Sequence, residues 1–403
     1  MNPASVLVIG GGLAGYNTAR ELRARGYAGA LSIVDPAPLP YDRPPLSKEY
    51  LLGRRGVADI ELSPAAWFSE QGITLVTGSV VALDAATGTV VLENGQTLNA
   101  DAVVLATGGS ARRLPIPGAR DPALFELRTM ADADRLRVAL APGIRLAIIG
   151  AGLIGAEVAS AALELGATVV LIDPIDPPLV PALGPELATR LHLMHADRGI
   201  EVLTGLPVEI TAEGPVRTVH LESGRSIEAD AVLVGVGIVP NTALAETAGL
   251  ETDNGIIIDP HGRTSAPRVF AVGDVARIRA ADGHLERRAE HWENARNAGA
   301  VTAAALLGQN PASPGAPWFW SDRHGVHVEG VGDMAAPGTS VVRSNPDGSQ
   351  VVFRLAADGT MAGAASIDGG LAIRAARRII DRRIVVAADL LADPAVDLRK
   401  LAR

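Results

Sequence analysis

Two glycine-rich segments decide the fold: Val6-Leu7-Val8-Ile9-Gly10-Gly11-Gly12-Leu13-Ala14-Gly15 and Leu146-Ala147-Ile148-Ile149-Gly150-Ala151-Gly152-Leu153-Ile154-Gly155. In each segment a short apolar run predicts a buried strand, and a helical pattern follows the glycines. A second apolar strand then ends at an aspartate, Asp35 in the first copy and Asp173 in the second. This arrangement is typical of a dinucleotide-binding fold, and the two copies indicate an internal duplication.

The spacing of the glycines assigns each one a task. The first permits a tight turn, the second lets a pyrophosphate approach the backbone, and the third lets the helix pack on the strand. The aspartate can accept hydrogen bonds from the ribose hydroxyls of an adenosine. The predicted contacts are therefore Gly10, Gly12, Gly15 and Asp35 for one nucleotide, and Gly150, Gly152, Gly155 and Asp173 for the other.

The surroundings of Asp173 bear on which nicotinamide cofactor is used. Its carboxylate would repel a 2′-phosphate, and no arginine follows it in Asp173-Pro174-Ile175-Asp176-Pro177. An NADP site places an arginine there, so the sequence favours NADH over NADPH. Alternatively, Asp173 only caps a turn, and the preference then stays open.

A third segment, Val269-Phe270-Ala271-Val272-Gly273-Asp274, indicates which nucleotide stays bound. An apolar strand that ends in Gly-Asp projects the acid where it can hydrogen-bond a ribityl chain. Because the segment follows the second nucleotide unit, we interpret it as the closing part of an FAD domain. Two apolar strands, at 103–109 and 232–237, also run into glycine and close the two nucleotide units. They place Thr107 and Gly108 among the predicted FAD contacts and Gly237 among the predicted NAD contacts.

Composition excludes several classes of function. The net charge of −9 argues against non-specific nucleic-acid binding. The chain has no cysteine, so it has no disulfide, no thiolate metal site and no redox-active dithiol. We predict no metal site. The first residues lack the pattern of a signal peptide, and no apolar stretch reaches membrane-spanning length, so we expect a cytoplasmic protein with no membrane partner.

The predicted fold class is α/β, with two Rossmann-like dinucleotide-binding domains in a glutathione-reductase-like arrangement and a C-terminal α+β domain. Beyond the proline-rich stretch 311–317 the pattern alternates as in an antiparallel sheet, and an Ala/Arg-rich helix follows from about 371 to 381. The predicted boundaries are 1–112 and 241–315 for the two segments of the FAD domain, 113–240 for the NAD domain and 316–403 for the C-terminal domain.

The chain resembles the FAD-dependent NADH:ferredoxin reductases of bacterial oxygenase systems, the family of putidaredoxin reductase and biphenyl-dioxygenase ferredoxin reductase. The most specific segment is Pro40-Tyr41-Asp42-Arg43-Pro44-Pro45-Leu46-Ser47-Lys48. Others are Leu127-Arg128-Thr129, Ile154-Gly155-Ala156-Glu157, Trp318-Phe319-Trp320-Ser321-Asp322 and Leu391-Ala392-Asp393-Pro394-Ala395-Val396-Asp397-Leu398-Arg399-Lys400-Leu401. The resemblance runs nearly from end to end.

The resemblance implies a set of site residues. Those that would line the FAD are Arg43, Lys48, Val80, Arg128, Asp274 and Trp292. Lys48 and Glu157 would meet beside the flavin ring, where an ammonium stabilises negative charge. The alternative for this pair is a surface ion pair with no role in catalysis. Trp320 is expected near the isoalloxazine, although an aromatic residue in an alanine-rich chain can also be plain core.

The chain departs from the family pattern at three places. Asp35 stands where the family usually continues to a glutamate, and 175–181 is proline-rich where a Glu and a later Arg are usual. Arg323 follows Ser321-Asp322 where the family has a glutamine, a difference that we expect to affect the face toward the partner.

The resemblance implies NADH as the electron donor and single-electron transfer to a [2Fe–2S] ferredoxin, which supplies an oxygenase, either a Rieske dioxygenase or a cytochrome P450. A basic helix face would suit an acidic ferredoxin, or it is simply solvated; its residues are Arg374, Arg377, Arg378, Arg382 and Arg383. A monomer or a homodimer is expected. The alternatives are an NADH:quinone or small-acceptor reductase, and a redox-sensing flavoprotein.

Overall fold

A computed structural model describes residues 3–311, 313 and 315–403. Ala312 and Pro314, in the middle of the predicted linker, lie outside the described residues. The chain forms two compact units. The first takes in the described residues of Met1–Pro44, Arg55–Ser110 and Ile238–Pro314, and the second consists of Pro45–Arg54, Ala111–Gly237 and Gly315–Arg403. The three predicted domain boundaries stay a prediction.

The first unit is built on a five-stranded parallel sheet. Its strands, in spatial order, are Val269–Ala271, Ala102–Leu105, Ser5–Ile9, Ala30–Asp35 and Ile73–Thr77. The central strands are buried apolar runs because helices and loops cover both faces of a parallel sheet. The strand Ala102–Leu105, part of the segment predicted to close the first nucleotide unit, pairs on its other side with Val269–Ala271.

The other elements of the first unit surround this sheet. Its helices are Leu13–Ala24, Val57–Ile60, Ala65–Glu70, Ala243–Thr247 and Trp292–Leu306, with a 3₁₀ turn at Gly273–Val275. An antiparallel sheet contains Val80–Asp84, Thr89–Leu92 and Thr97–Asn99, and Ile256–Ile258 pairs with Ala276–Ile278. The short strands Gly109–Ala111 and Ile238–Pro240 pair where the chain leaves and re-enters the unit.

The second unit repeats the parallel arrangement. Its four-stranded sheet has the order Glu201–Thr204, Thr168–Asp173, Arg145–Ile149 and Ala231–Val234, flanked by the helices Met130–Ala139, Leu153–Glu164 and Val180–Asp197. An antiparallel sheet of Pro207–Glu213, Val216–Leu221 and Ser226–Ala229 follows in the chain. The short segment Pro45–Arg54 also belongs to the second unit, and its first residues lie in a 3₁₀ turn at Pro44–Ser47.

The end of the chain adds a five-stranded antiparallel sheet to the second unit. Its order is Trp318–Arg323, Val326–Gly332, Met361–Ile367, Gln350–Leu355 and Thr339–Ser344, and its helices are Gly370–Arg382, Ala388–Ala392 and Leu398–Leu401. The predicted alternation and the predicted helix match this segment closely. Trp318–Arg323 escaped prediction as a strand, because its aromatic residues do not alternate with polar ones. Within the described ranges, none of the helices has both the length and the apolar character that crossing a bilayer requires.

A buried histidine that contacts a half-buried one makes the stability of the second unit depend on pH. His195 is 2% exposed, and its Nδ1 lies 2.9 Å from Nε2 of His324. Burial, together with the electrostatic influence of His324, Arg323 and His192, lowers the pKa of His195 to about 3. An unfolded histidine takes up a proton near pH 6.5, so the unfolded state binds more protons at any pH between these values. Stability therefore falls as the pH falls below 6.5.

We expect acidification from pH 6.5 to pH 5 to cost about 2 kcal/mol of unfolding free energy through His195 alone. Urea unfolding of the wild type and of His195→Asn at a series of pH values measures this contribution. The variant should lose a clear part of the pH dependence over this window. An identical pH dependence in both proteins would contradict the assignment.

Candidate functional site

The glycine turn of the first unit contains two glycines that the fold itself requires. Gly10 has φ +107°, and a Cβ atom there would overlap the carbonyl oxygen of Ala106. A Cβ atom on Gly15 would overlap the carbonyl oxygen of Gly10, because the helix Leu13–Ala24 passes close over the strand. These two glycines make the sharp turn and the close packing that the spacing predicts.

The second unit contains a glycine turn with nearly the same backbone geometry. Gly150 has φ +105°, and a Cβ atom there would overlap the carbonyl oxygen of Gly235. A Cβ atom on Gly155 would overlap the carbonyl oxygen of Gly150. The internal duplication seen in the sequence is therefore also a duplication of backbone geometry.

The middle glycines, Gly12 and Gly152, are different, because nothing in the fold requires them to be glycine. Gly12 has φ −63° and Gly152 has φ −66°, values that any residue adopts. A Cβ atom on Gly12 would meet only Arg43 Nη2, at 3.9 Å, and one on Gly152 would meet no atom within 4 Å. Each glycine opens a helix that has no side-chain cap. The open space and the first helical N–H groups fit the pyrophosphate of a bound dinucleotide in both units.

The two aspartates both bind backbone N–H groups of a turn, a role that was predicted only for Asp173, and there only as the alternative. Asp35 accepts hydrogen bonds from the backbone N–H of Gly11 (2.5 Å) and of Ala37 (2.8 Å). Asp173 accepts the corresponding bonds from Ala151 (2.8 Å) and Ile175 (2.9 Å). Each carboxylate oxygen retains a lone pair beyond these bonds. The carboxylates are therefore held rigidly beside the glycine turns, and their contact with ribose stays a prediction.

Several predicted FAD contacts lie near the first glycine turn. The 3₁₀ turn that carries Asp274 packs on the start of the helix Leu13–Ala24, since a Cβ atom on Gly273 would come within 2.7 Å of the Ala14 Cβ atom. Trp292 opens the helix Trp292–Leu306, and its indole N–H donates to Asp42 Oδ1 at 2.8 Å.

The remaining predicted FAD contacts of the first unit are Thr107, Gly108 and Val80, and backbone groups fix their surroundings. The Thr107 hydroxyl donates to the Asn241 carbonyl at 2.9 Å, and the Gly108 carbonyl accepts the N–H of Asn241 at 3.0 Å. Val80 begins a strand two residues after Gly78, whose N–H donates to the Asp35 carbonyl.

The second unit holds the other predicted residues, Lys48, Arg128, Glu157, Trp320 and Gly237. The backbone N–H of Arg128 donates to Asp132 Oδ2 at 3.1 Å, just before the helix Met130–Ala139. Gly237 has φ +94°, a conformation that favours glycine.

Glu157 is a buried carboxylate with a full set of donors. Only 4% of the residue is exposed, and it lies in the second turn of the helix Leu153–Glu164. Its Oε2 accepts from the Ser47 hydroxyl at 2.5 Å. Its Oε1 accepts from the Ser321 hydroxyl at 2.6 Å and from Lys48 Nζ at 3.3 Å. A buried charge that is satisfied in this way is rigid and dry, unlike a surface ion pair.

Lys48 is the cation of this cluster. Its side chain is 11% exposed, and its Nζ atom also pairs with Asp322 Oδ2 at 3.1 Å. The same Nζ lies 5.6 Å from the centre of the Trp320 ring, which stacks on Trp318 with a centroid separation of 5.1 Å. The predicted Lys48–Glu157 pair is present, and Trp320 lies against its ammonium group. Whether these side chains act on the cofactor stays a prediction.

A family model described as pyridine nucleotide-disulphide oxidoreductase matches residues 4–299, and one described as reductase C-terminal matches residues 318–402. The chain belongs to the pyridine nucleotide-disulphide oxidoreductase family. Membership confirms the predicted fold class, the oxidoreductase class and the use of FAD with NADH.

Individual members of the family are similar over the full length. The ferredoxin–NAD(+) reductase subunit of the benzene 1,2-dioxygenase system of Pseudomonas putida is 38% identical over 99% of this chain and 97% of that protein. The covalent putidaredoxin reductase–putidaredoxin complex matches with a TM-score of 0.92 and 31% identity, over 98% of this chain and 97% of that one. The ferredoxin reductase for the CYP199A2 system from Rhodopseudomonas palustris matches with a TM-score of 0.93 and 32% identity, over 99% and 100%. The resemblance stated from the sequence is confirmed.

The structure adds three residues to the site that were not predicted as site residues from the sequence. Ser47 and Ser321 hold Glu157, and Asp322 is the second partner of Lys48. The only available signal was their position inside the two family segments. Arg323 is 3% exposed, so its side chain does not itself lie on the surface, and an effect of this position on the partner face stays a prediction. Its Nη2 donates to Ser321 Oγ at 2.9 Å, and burial lowers the pKa of its guanidinium to about 10, so it stays charged at neutral pH.

Proposed function

We propose that this oxidoreductase is an NADH-dependent ferredoxin reductase that passes electrons to a [2Fe–2S] ferredoxin serving an oxygenase, either a Rieske dioxygenase or a cytochrome P450. The Pseudomonas putida relative is named as a ferredoxin–NAD(+) reductase subunit of a dioxygenase system. One similar solved structure is the covalent complex of putidaredoxin reductase with putidaredoxin. FAD, when bound, accepts two electrons from NADH and releases them one at a time.

The observation that carries the proposal is the pair of open glycine turns in a chain without cysteine. Gly12 and Gly152 each leave room for a pyrophosphate, so one chain offers two dinucleotide sites. Members of this fold that reduce disulfides need a dithiol, and this sequence has no cysteine. The electrons must therefore leave to an external acceptor.

The chain's own residues suit the donor half of the reaction. We assign Glu157 and Lys48 to the nicotinamide and flavin side, where a rigid ion pair orients the reacting groups and excludes water. The Asp173 carboxylate beside the second turn disfavours a 2′-phosphate, which supports NADH as the donor.

Turnover with alternative acceptors tests the proposal. NADH oxidation is measured with a [2Fe–2S] ferredoxin from a dioxygenase system, with a soluble quinone and with oxygen alone. We expect ferredoxin to give the highest kcat/KM. A quinone that outperforms the ferredoxin would support the small-acceptor alternative, and slow turnover with every acceptor would support a redox sensor.

The helix Gly370–Arg382 is a docking face in this proposal. Arg374, Arg378 and Arg382 are exposed and lie four residues apart, so they share one side of the helix. Neither Arg374 nor Arg378 forms an ion pair within the described part of the chain. Arg377, by contrast, is half-buried, and its Nη2 approaches the Asp381 and Gly315 region. The exposed residues form a basic stripe on a protein of net charge −9 and suit an acidic partner.

We expect the double charge reversal Arg374→Glu/Arg378→Glu to raise the apparent KM for ferredoxin roughly tenfold and to flatten its salt dependence, because steering by the stripe is lost. The matched control is Arg113→Glu/Arg120→Glu, which changes the net charge equally at two other exposed arginines. If the control variant and the stripe variant raise the KM equally, only net charge matters and the stripe is not the docking face.

We further propose a cytoplasmic location, where NADH is available, and a monomer or a homodimer as the working form. Light scattering on the flavin-loaded protein distinguishes the two oligomeric forms.

A further inference from the structure

The carboxylate of Asp173 is partly engaged by the turn that it closes. Its two oxygens accept the backbone N–H groups of Ala151 and Ile175, at 2.8 and 2.9 Å. The dipoles of these N–H groups oppose the potential of the carboxylate, so they weaken the repulsion that Asp173 exerts on a phosphate. A second negative charge beside Asp173 would therefore add to the discrimination between NADH and NADPH.

Asp176 supplies a carboxylate at the same edge of the sheet. The strands Thr168–Asp173 and Glu201–Thr204 run parallel, and Asp173 pairs with Thr204 at their carboxyl ends. The Thr204 hydroxyl donates to Asp176 Oδ2 at 3.3 Å. This bond holds the Asp176 side chain at the carboxyl ends of the two strands, which is the edge where open α/β sheets bind their ligands.

The charge of Asp176 is open to solvent and to a ligand. Its side chain is 56% exposed, and its Oδ1 lies 3.6 Å from Nε2 of His192. Within the described ranges, Asp176 forms no ion pair with a lysine or an arginine. A carboxylate in this situation repels an anion that binds beside it.

The segment after Asp173 is the part of a dinucleotide site that distinguishes the two nicotinamide cofactors. The acid that ends the second strand binds the adenosine ribose, and a nearby arginine accommodates the 2′-phosphate of NADP. In this chain Asp176 stands three residues after Asp173, so an acid takes the place of the arginine. Ile175 next to it is 62% exposed, which offers an apolar surface for an adenine ring to cover.

We propose that Asp176 is a specificity-determining residue that repels the 2′-phosphate of NADPH and so reinforces the preference for NADH. Thr204 is a positioning residue that holds the Asp176 carboxylate at the sheet edge. NADH carries an uncharged 2′-hydroxyl, so Asp176 leaves its binding almost unaffected. The inference rests on the proposed use of NADH as the donor, and it assigns part of that preference to a residue outside the turn.

Calorimetric titration of the flavin-loaded protein with NAD⁺ and with NADP⁺ tests this assignment without turnover. Low salt and about pH 8 keep the 2′-phosphate ionised. We expect Asp176→Asn to bind NADP⁺ about tenfold more tightly than the wild type, while its affinity for NAD⁺ changes less than about twofold. The Kd values for NADH and NADPH from stopped-flow flavin reduction should change in the same way.

Three further variants separate charge, position and net charge. Asp176→Glu keeps the charge and should match the wild type. Thr204→Val frees the Asp176 side chain and should give a gain in NADP⁺ affinity of about threefold. The matched control is Asp197→Asn, because Asp197 is an exposed acid at the end of the helix Val180–Asp197, before the strand Glu201–Thr204 begins. It lies at the opposite edge of the sheet from Thr204 and should leave both affinities unchanged.

Salt gives an independent readout of the repulsion. The gain in Asp176→Asn should shrink at about 0.5 M NaCl, where charges are screened beyond roughly 4 Å. Equal changes for both nucleotides in Asp176→Asn, or the same NADP⁺ gain in Asp197→Asn, would overturn the proposal. A wild type that binds NAD⁺ and NADP⁺ equally would refute the NADH preference itself, and that result is distinct because it needs no variant.

Discussion

Changing Gly152 to alanine is expected to weaken NADH binding about 100-fold, a loss of roughly 2.7 kcal/mol, while the fold and the bound flavin stay intact. The backbone at Gly152 already has φ −66° and ψ −166°, which alanine adopts without strain. A methyl group there meets no protein atom within 4 Å, so it occupies only the space that a pyrophosphate would need. The NADH concentration that half-reduces the flavin and the melting temperature measure the two effects separately.

Gly155→Ala is the matched control, because its methyl group would overlap the Gly150 carbonyl oxygen. This variant should unfold at a lower temperature, since an overlap of this kind costs about 1–3 kcal/mol. Gly12→Ala is the counterpart in the first unit and should yield a folded protein that has lost its flavin. Wild-type NADH binding by Gly152→Ala would contradict a pyrophosphate site at the second turn.

Removing the Lys48 cation is expected to slow flavin reduction by NADH about 100-fold, because a positioned charge in a dry site stabilises developing negative charge. Lys48→Met also leaves the Glu157 carboxylate buried with only neutral donors directly on it, which should cost about 3 kcal/mol of stability. Stopped-flow reduction and chemical unfolding measure the two consequences.

The double variant Lys48→Met/Glu157→Gln separates catalysis from structure. It removes the uncompensated charge, so we expect its stability to return to within about 1 kcal/mol of the wild type. Its rate of flavin reduction should stay low. Recovery of both stability and rate would show that the pair is only structural.

The sequence was most informative where one motif imposes one geometry. The Gly10 and Gly150 turns could be predicted because a positive φ and a close carbonyl exclude other residues. The pairing of Lys48 with Glu157 could be predicted from the family segments that contain them. In both cases the cause is local or is carried by a specific motif.

Features that depend on register could not be predicted in this way. The contact of Asp322 with His327 arises from the pairing of two strands, and Trp318–Arg323 did not read as a strand. The burial of Arg323 depends on which side of the strand Trp318–Arg323 faces inward. The residues next to Arg323 in the sequence do not indicate that side. Asp35 was assigned to ribose alone, and turn capping was only the alternative for Asp173, because the N–H groups that bind these carboxylates belong to turns whose geometry the sequence does not specify.

The ferredoxin-reductase function is tested most directly by an anaerobic titration of the purified, flavin-loaded protein with NADH and, separately, with NADPH. Two equivalents of an oxidised [2Fe–2S] ferredoxin are then added. We expect one equivalent of NADH to bleach the flavin absorbance and NADPH to do so only at much higher concentration. The ferredoxin should then be reduced as the flavin colour returns. A flavin that NADH bleaches but that returns its electrons only to quinone or oxygen would contradict the ferredoxin-reductase assignment.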